Sequence, residues 1–525
     1  MLLTTLVFLP LVMAVVLILT PKEKSLKLMA LGFATVEFLL SLLLFFRFDP
    51  SLAGLQLVEQ YPWIRSFGIS YFVGIDGISF WLVLLTTFLT PLTILGAWTS
   101  IKKRIRAFLV SMLVLEATML GAFLSMDAIL FYCFFEASLL PMYFIIGIWG
   151  GERRIYATLK FFIYTMVGSL FMLLGIIALM FYTQDQLGSI SSSLVDFYRL
   201  KIPFVAGEFL STQTLLFFAF SLAFAIKVPV FPFHTWLPDA HVEAPTPGSV
   251  ILAGIMLKMG TYGLLRFSIP MFPEAAFYYS WIFLLIAVVG IIYGALVAMV
   301  QPDIKKLVAY SSVSHMGYVV LGLFAFNIYG ISGGIYQMLN HGISTGALFL
   351  LVGMIYERTH SREINRYGGL ASVAPIFTII FVIITLSSIA VPMTNGFIGE
   401  FYILLGAFLS ARPYAIFAVL GVILGAAYML WMVKRVFFGE KGEIVRKYES
   451  KGLDINAREV FVLAPLVIFI FWMGIFPNHF LTWTKTSVSH MVDNRLNYEL
   501  PIVGRDKNSP YAISVADPVD QELEE

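Results

Sequence analysis

Five ionisable residues of this sequence stand inside long apolar stretches, where a side chain has no ready access to water. They are Glu116, Glu136, Lys227, Lys258 and Glu400. A charge at the centre of a bilayer costs roughly 2.5–3.5 kcal/mol on insertion scales, so five unpaired charges would cost on the order of 10 kcal/mol. That sum is as large as the net stability of a typical folded protein. The charges must therefore pair or face water, and such intramembrane charges mark ion pathways.

Glu136 and Lys227 are the first candidates for such a pair. Glu136 is flanked by mainly apolar residues for more than two helical turns, so its carboxylate cannot reach the membrane surface. Lys227 stands two residues before Pro229, where a helix must break. A lysine removed from water changes its proton affinity readily, which suits a group that takes up and releases protons. We therefore predict a Glu136–Lys227 switch; a static ion pair that fixes helix packing is the alternative.

Further groups that could carry protons follow along the chain. Lys258 falls on the next predicted helix, and Glu400 closes a second broken segment. Three histidines lie in or near the same helices, and histidine can relay protons near neutral pH. They are His234, His315 and His341. Each alone could be a packing residue, but their accumulation between the lysines and Glu400 favours a relay.

The composition excludes several classes of protein. Of 525 residues, 59% are hydrophobic and 13% charged, and the mean hydropathy is +0.88, too apolar for a soluble domain. The formal net charge of +2 gives no basic face for nucleic acid. The single cysteine, Cys133, lies in an apolar run and excludes an internal disulfide. His234 and His241 lack a third zinc ligand, and the sequence has no dinucleotide fingerprint or P-loop, so we expect no metal, NADH or ATP site.

Apolar runs of about 20 residues, enough for a helix to cross a bilayer core of roughly 30 Å, occur throughout the chain. Residues 1–20 have no basic start and no cleavage site, so we interpret them as a transmembrane helix and not as a signal peptide. The predicted spans are 3–20, 27–46, 76–97, 107–125, 127–149, 157–183, 213–233, 247–268, 278–299, 304–326, 329–356, 371–410, 413–437 and 459–478.

The basic residues of the loops set the number of crossings and the orientation. All the basic loops fall on one side only if residues 371–410 cross once, as an interrupted helix. That side is cytoplasmic by the positive-inside rule. We therefore predict fourteen crossings of a bacterial inner membrane, with both termini on the outer side. The basic clusters are Lys22/Lys24/Lys27, Lys102/Lys103/Arg104/Arg106, Arg153/Arg154, Lys305/Lys306, Arg358/Arg362/Arg366 and the stretch from Lys434 to Arg458.

Two segments with proline or glycine in mid-membrane, 226–234 and 389–397, predict interrupted helices. A helix break in a membrane is tolerated only where protein or water satisfies the freed backbone groups. Broken helices in both halves of a chain point to a transport pathway. A kink that serves packing alone is the alternative. Outside the membrane we expect a polar, aromatic loop at 47–75 and, beyond about 484, a polar tail that is either extended, poorly ordered or packed on a neighbouring subunit.

Four motifs give the sequence a resemblance to a known family. They are residues 237–254 around Ala244-Pro-Thr-Pro, residues 303–317 ending in Ser314-His-Met-Gly, Asn340-His-Gly, and Asn395-Gly-Phe-Ile-Gly-Glu-Phe. Together they resemble the M-subunit family of bacterial proton-pumping NADH:quinone oxidoreductase (complex I), the counterpart of mitochondrial subunit 4, in the antiporter-like superfamily. The likeness covers roughly residues 70–480.

The resemblance implies an all-α membrane fold of about fourteen transmembrane helices, with two inverted five-helix repeats and two interrupted helices. It implies a proton route from Glu136 and Lys227 through Lys258 to Glu400, with His315 and His341 as the central relay. Glutamate at position 400 favours the M-type, since the L- and N-type and Mrp antiporter subunits look lysine-like there. The implied units are 1–106 with the outside loop, the repeats 107–268 and 278–437, and 438–525 with the last helix and the tail.

The resemblance also implies the setting. The chain would be a non-redox membrane subunit of a translocase, beside L-type and N-type neighbours in the lipid bilayer, while NADH, FMN, iron–sulfur clusters and quinone would belong to other subunits. An Mrp-type cation/proton antiporter subunit, a membrane-bound hydrogenase subunit and a structural spacer remain alternatives. Glu116 could belong to the route or contact an adjacent subunit.

Overall fold

The chain folds into a bundle of long apolar helices. The structure is a computed structural model, and it describes residues 1–449, 452–494 and 498–503. Within those residues, ten helices are long and apolar enough to cross a membrane, which confirms the helical membrane fold. They are Leu2–Leu19, Glu23–Arg47, Ile105–Leu124, Ala128–Trp149, Arg154–Leu187, Thr246–Met271, Ser280–Met299, Ile328–Thr359, Arg412–Phe437 and Ala457–Ile475.

Shorter or less apolar helices lie between these ten. The shorter apolar helices are Phe80–Gly96, Thr212–Lys227, Pro375–Ser388 and Asn395–Ser410, and the polar-rich Ile304–Leu323 runs for 20 residues. The set can accommodate fourteen crossings, but the exact count stays a prediction, as does the division into inverted repeats. Small helices also occur at Leu194–Phe197, Trp236–Glu243, Pro273–Tyr278 and Glu443–Tyr448.

Both predicted helix breaks are confirmed. Thr212–Lys227 ends at the lysine, and the next helix begins only at Trp236. Pro375–Ser388 and Asn395–Ser410 have 14 and 16 residues. At 1.5 Å per residue these helices are about 21 and 24 Å long, each short of a bilayer core of roughly 30 Å. The lengths therefore fit one interrupted crossing.

The two most deeply buried long helices, Thr246–Met271 and Ile328–Thr359, run through the centre of the bundle. The first contains two π-helical segments, Leu252–Met256 and Leu264–Ser268, on either side of Lys258. π-Helical turns widen a helix locally and occur frequently at functional sites. The central helix Thr246–Met271 therefore departs from regular α-helical geometry on both sides of Lys258.

The segment predicted as a loop, residues 47–75, contains a β-hairpin. Strands Gln56–Ile64 and Ile69–Ile75 pair antiparallel, with Tyr61 opposite Tyr71. Aromatic and β-branched residues favour such pairing. Gly68, between the strands, has φ 62°, and a Cβ there would lie 1.9 Å from the carbonyl oxygen of Ile190. The hairpin is therefore packed onto the bundle and adds a small β element to the all-α fold.

The tail predicted to be extended or poorly ordered beyond about 484 is instead helical up to Asp493. Helix Asn478–Asp493 follows the last predicted span and buries Phe480, Val488 and Met491. Trp81 Nε1 donates to the Phe480 carbonyl at 3.0 Å. A short segment then returns to the hairpin, where Leu55 N donates to Pro501 O at 2.7 Å. An amphipathic helix here was missed because its polar residues resemble a solvated tail; the acidic end, 517–525, lies outside the described residues.

A buried ion pair fixes the C-terminal end of the central helix Thr246–Met271. Arg266 Nη2 and Asp76 Oδ1 are 2.6 Å apart, and both side chains are buried. Removing one partner of a buried pair typically costs about 3–5 kcal/mol, because the other charge is left alone. We expect Arg266→Met to deplete the chain from membranes, as measured by immunoblot. The double variant Asp76→Asn/Arg266→Met is the control and should be less damaging; equal depletion in both would contradict this account.

Candidate functional site

Lys227 lies at the end of its helix at the first break and is only 1% exposed. Its ammonium stands over the ring of Phe135, 4.7 Å from the ring centroid, and has no hydrogen-bond partner. A desolvated cation–π contact contributes about 2 kcal/mol. Lys227 therefore contacts the ring of Phe135, whereas the sequence predicts a contact with the carboxylate of Glu136. Phe135 immediately precedes Glu136, but nothing in the sequence distinguishes it from the other phenylalanines of that run.

Glu136 is near Lys227 without being bonded to it. The two charges interact electrostatically, and Glu136 Oε1 is buried without a hydrogen-bond partner. Among the ion pairs of the described residues there is none between Glu136 and Lys227. The two residues are therefore unpaired in this structure, and a switch between them stays a prediction.

Lys258 makes close polar contacts in the bundle centre. Its Nζ lies 2.7 Å from His341 Nδ1 and donates to the carbonyl oxygen of Ala253. The π-helical turn explains the second contact, because the Leu257 N–H bonds to Leu252 O, five residues back, and not to Ala253 O. The freed Ala253 carbonyl can then accept from the lysine. The local helix geometry thus holds the ammonium against the His341 ring.

Glu400 and His315 form a second pair across the bundle. His315 Nδ1 and Gln337 Nε2 each lie 3.2 Å from the same oxygen, Glu400 Oε1. Glu400 is 4% exposed and follows the second helix break. On its other side His315 Nε2 lies 3.5 Å from Ser388 Oγ, at the far end of that break. The histidine therefore contacts both halves of the interrupted helix.

The two pairs meet at the histidines. The ring centroids of His315 and His341 are 6.1 Å apart. A cavity of about 10 Å³, lined by both histidines together with Asn340 and Ser388, lies beside them. A space of this size holds about one water molecule. Lys258, His341, His315 and Glu400 thus form a buried polar series, hereafter the Lys258–Glu400 series, along which a proton can pass by short steps.

Not every predicted residue joins this series. His234 is buried, but its ring packs on Phe231 and Tyr293, with centroids 5.6 and 5.1 Å away. Its Nδ1 has no hydrogen-bond partner. A role for His234 in proton transfer therefore stays a prediction. Gln337 and Ser388 were missed in the sequence, because neither an amide nor a hydroxyl in a helix signals its partners.

A cavity of about 410 Å³ opens on the side of the basic loops and is lined in part by Glu243, Lys305 and Arg362. Lys305 is buried and donates to the carbonyl oxygen of Ala244. Behind this point His241 stacks on Phe349, with centroids 4.6 Å apart and both ring nitrogens unbonded. His241 interacts electrostatically with both Lys305 and Lys258. These residues therefore lead from the cavity towards the Lys258–Glu400 series.

Charged groups that face one another inside an apolar helical bundle are what an ion-translocating membrane protein requires. A family model described as NADH:quinone oxidoreductase/Mrp antiporter, transmembrane, matches residues 125–425. A second model, the amino terminus of NADH-ubiquinone oxidoreductase chain 4, matches residues 2–122. The chain belongs to this family of antiporter-like membrane subunits, on its subunit M or chain 4 branch.

Individual relatives define that branch. NADH-quinone oxidoreductase subunit M of Rhodobacter capsulatus is 47% identical over 94% of this chain and 96% of its own length. NADH-ubiquinone oxidoreductase chain 4 of Marchantia polymorpha is 44% identical over 94% of this chain and 97% of its own.

Solved structures share the fold. A chain of respiratory complex I from Thermus thermophilus, solved with bound NADH, has a TM-score of 0.82 at 33% identity and covers 93% of this chain and 99% of that chain. A chain of the Mrp complex from Dietzia sp. DQ12-45-1b has a TM-score of 0.80 at 20% identity over 94% of this chain and 98% of that one, which supports the fold alone.

Proposed function

We propose that this chain carries protons across the membrane as a non-redox subunit of respiratory complex I, using the Lys258–Glu400 series. The observation that supports this most is the contact sequence Lys258–His341–His315–Glu400, in which each group can hold or pass a proton. Histidine is suited to the middle positions because it titrates near neutral pH. Electron transfer takes place in other subunits, and this chain converts their signal into proton movement.

Protons enter from the side of the basic loops. The 410 Å³ cavity gives solvent access as far as Lys305, and His241 stands between Lys305 and Lys258. The ring nitrogens of His241 are free to accept and donate. Glu400, beyond the histidines, is then the last group of the series before release on the opposite side. By the positive-inside rule the entry side is cytoplasmic and both termini lie outside.

The Glu136–Lys227 pair acts as a switch for this path. Moving one charge through the membrane costs roughly 2.3 kcal/mol per 100 mV. Removing one partner of a buried ion pair typically costs about 3–5 kcal/mol, so rearranging such a pair involves free energies of the same scale as that step. The contact of Lys227 with Phe135 stabilises the open state and can be exchanged for a contact with Glu136.

The expected neighbours are those that the resemblance to the M-subunit family implies. We expect L-type and N-type membrane subunits beside this chain in a bacterial inner membrane. NADH, FMN, iron–sulfur clusters and quinone are expected in other subunits. An Mrp-type antiporter subunit is the second candidate. Glutamate rather than lysine at position 400 favours the first, and NADH-binding subunits that co-purify with this chain would decide between them.

The switch is tested by Glu136→Ala and Lys227→Ala. Each variant is expected to assemble and to oxidise NADH while pumping fewer protons, because one partner of the switch is gone. Proton uptake into vesicles containing the purified complex, followed with a pH-sensitive dye, is the measurement. Ser138→Ala, in which a buried hydroxyl bonded only to a helix carbonyl is lost, is the matched control. Normal pumping by both variants would refute the switch.

Gly399 leaves room for the polar side chains that lie beside Glu400. A Cβ at this position would lie 2.5 Å from both Asn340 Nδ2 and Gln337 Oε1. Gly399→Ala is therefore expected to displace Gln337 from Glu400 and to lower the number of protons pumped per NADH. Gly425→Ala, where a Cβ meets nothing within 4 Å, is the control. Equal pumping by the two alanine variants would show that the Gln337 contact is not needed.

A further inference from the structure

Two buried carboxyl groups lie outside the Lys258–Glu400 series. Glu37, on Glu23–Arg47, and Glu116, on Ile105–Leu124, are both 0% exposed. All four of their carboxyl oxygens are buried without a hydrogen-bond partner. The two groups interact electrostatically. The helices that carry them pack against each other, and the two groups are called the carboxyl pair below. Within the described residues no hydrogen bond reaches any of the four oxygens, so none stabilises two negative charges here.

The surrounding helices offer no cation to this pair. Leu2–Leu19 and Phe80–Gly96, which pack against both glutamate helices, contain no ionisable side chain. Thr90 is the hydroxyl beside Glu116, and its proton is already donated to Thr86 O at 2.9 Å.

The basic groups on the glutamate helices are bonded elsewhere. Lys27 donates to Trp98 O and Ile101 O at 2.6 and 3.2 Å, and Arg106 donates to Thr20 O at 2.7 Å. Lys24 is exposed at the helix start, beside the exposed Glu23, and Arg47 is exposed at the helix end.

The remaining titratable groups lie on elements packed against Ile105–Leu124. Lys258 is held by His341 and Ala253, and Tyr262 donates to Phe123 O at 3.0 Å. The others are Tyr71 on the strand Ile69–Ile75 and, on the following helix, Tyr132, Cys133, Glu136 and Tyr143, none of which is a cation. Within the described residues, the pair therefore has no positive partner.

The pair lies deep in the membrane. Glu116 stands eight residues before Leu124, the outer end of its helix, and Glu37 stands ten residues before Arg47. At 1.5 Å per residue they are about 12 and 15 Å from the outer ends, near the middle of a core of roughly 30 Å. Glu136 stands eight residues after Ala128 and so lies at about the same depth.

We propose that Glu37 and Glu116 form a proton-binding carboxyl pair, separate from the Lys258–Glu400 series, that holds at least one proton in the membrane interior. One protonated carboxyl donates its O–H to the other group, which removes a charge and supplies the missing hydrogen bond without any further reactant. Two carboxylates that share a site in this way cannot both ionise readily. The pair stores a proton at about the depth of Glu136. Its member Glu116 lies on the helix that directly precedes the Glu136 helix.

Infrared difference spectroscopy of the purified complex tests the pair. The unchanged protein is expected to show the carbonyl stretch of a protonated carboxyl group, shifted in D₂O, and Glu37→Gln/Glu116→Gln is expected to lose it. Each single glutamine variant should shift the band, since the remaining carboxyl loses its neighbour. An unchanged carbonyl region in the double variant would overturn the proposal. So would a carboxylate signal that changes with added Na⁺, which would indicate a metal cation in place of the proton.

Glutamine has the shape of protonated glutamic acid, so the variants are expected to assemble. If the double variant fails to assemble, Glu116→Gln alone decides: a shifted band supports the pair, and an unshifted one refutes it. The readout is a carboxyl vibration and not pumping. Failure of the pair is therefore distinguishable from failure of the proton path proposed above.

Discussion

Replacing Lys258 with methionine is expected to slow proton transfer through this chain on the order of 100-fold, the usual contribution of a positioned group that passes a proton. Lys258 Nζ is 2.7 Å from His341 Nδ1, and methionine provides no proton at that place. Methionine fills the same buried space, and since the partners of Lys258 are a histidine and a backbone carbonyl, no carboxylate is left unpaired. The complex should therefore assemble, and the number of protons pumped per NADH should fall by the share that this chain carries.

The control for Lys258→Met is Lys24→Met, an exposed lysine at the start of Glu23–Arg47. This variant removes one positive charge from the same chain without touching the bundle centre. Dye-monitored proton uptake and NADH oxidation should be measured on both variants in the same preparation of vesicles. If Lys258→Met pumped as well as Lys24→Met, Lys258 would not belong to the path.

Glu400→Lys is expected to cause the second large loss. The substitution removes the oxygen that accepts from His315 and Gln337 and puts a positive group beside His315. A hydrogen bond to a charged group contributes about 1.5–3 kcal/mol, which corresponds to roughly ten-fold or more in rate. Pumping per NADH is again the measurement, with Glu440→Lys as the exposed control. Retained coupling in Glu400→Lys would mean that the sign of this charge does not matter.

Glu400→Gln separates charge from shape. Glutamine keeps an oxygen for His315 and Gln337 but cannot be ionised. The loss is therefore expected to be smaller than in Glu400→Lys if hydrogen bonding alone matters, and equal to it if the negative charge is required.

Part of this site could be predicted from the sequence, because a charge inside the bilayer is costly. A lysine or glutamate in an apolar helix is costly enough to stand out, which is why Lys258 and Glu400 could be predicted as functional. The breaks after Lys227 and before Glu400 were predictable because proline and glycine disrupt a helix in a way that lipid does not tolerate. Glu37 carries the same signal within its predicted span but was missed.

Other features depend on packing that no local pattern encodes. The π-helical turn that frees the Ala253 carbonyl has no sequence signature, and it positions Lys258. The contact of Lys227 with Phe135 replaces the predicted ion pair because an aromatic face and a carboxylate compete for one ammonium. The amphipathic helix Asn478–Asp493 resembles a solvated segment until its partner, Trp81, is known.

The central claim is that Lys258 and Glu400 belong to one path. Protons pumped per NADH should be measured in vesicles for Lys258→Met, Glu400→Gln and the double variant. Groups that act in series are not additive, since a path that is already blocked loses nothing more. The double variant is therefore predicted to pump as many protons as whichever single variant pumps fewer. Losses that multiply in the double variant would contradict the claim and would place the two residues on separate routes.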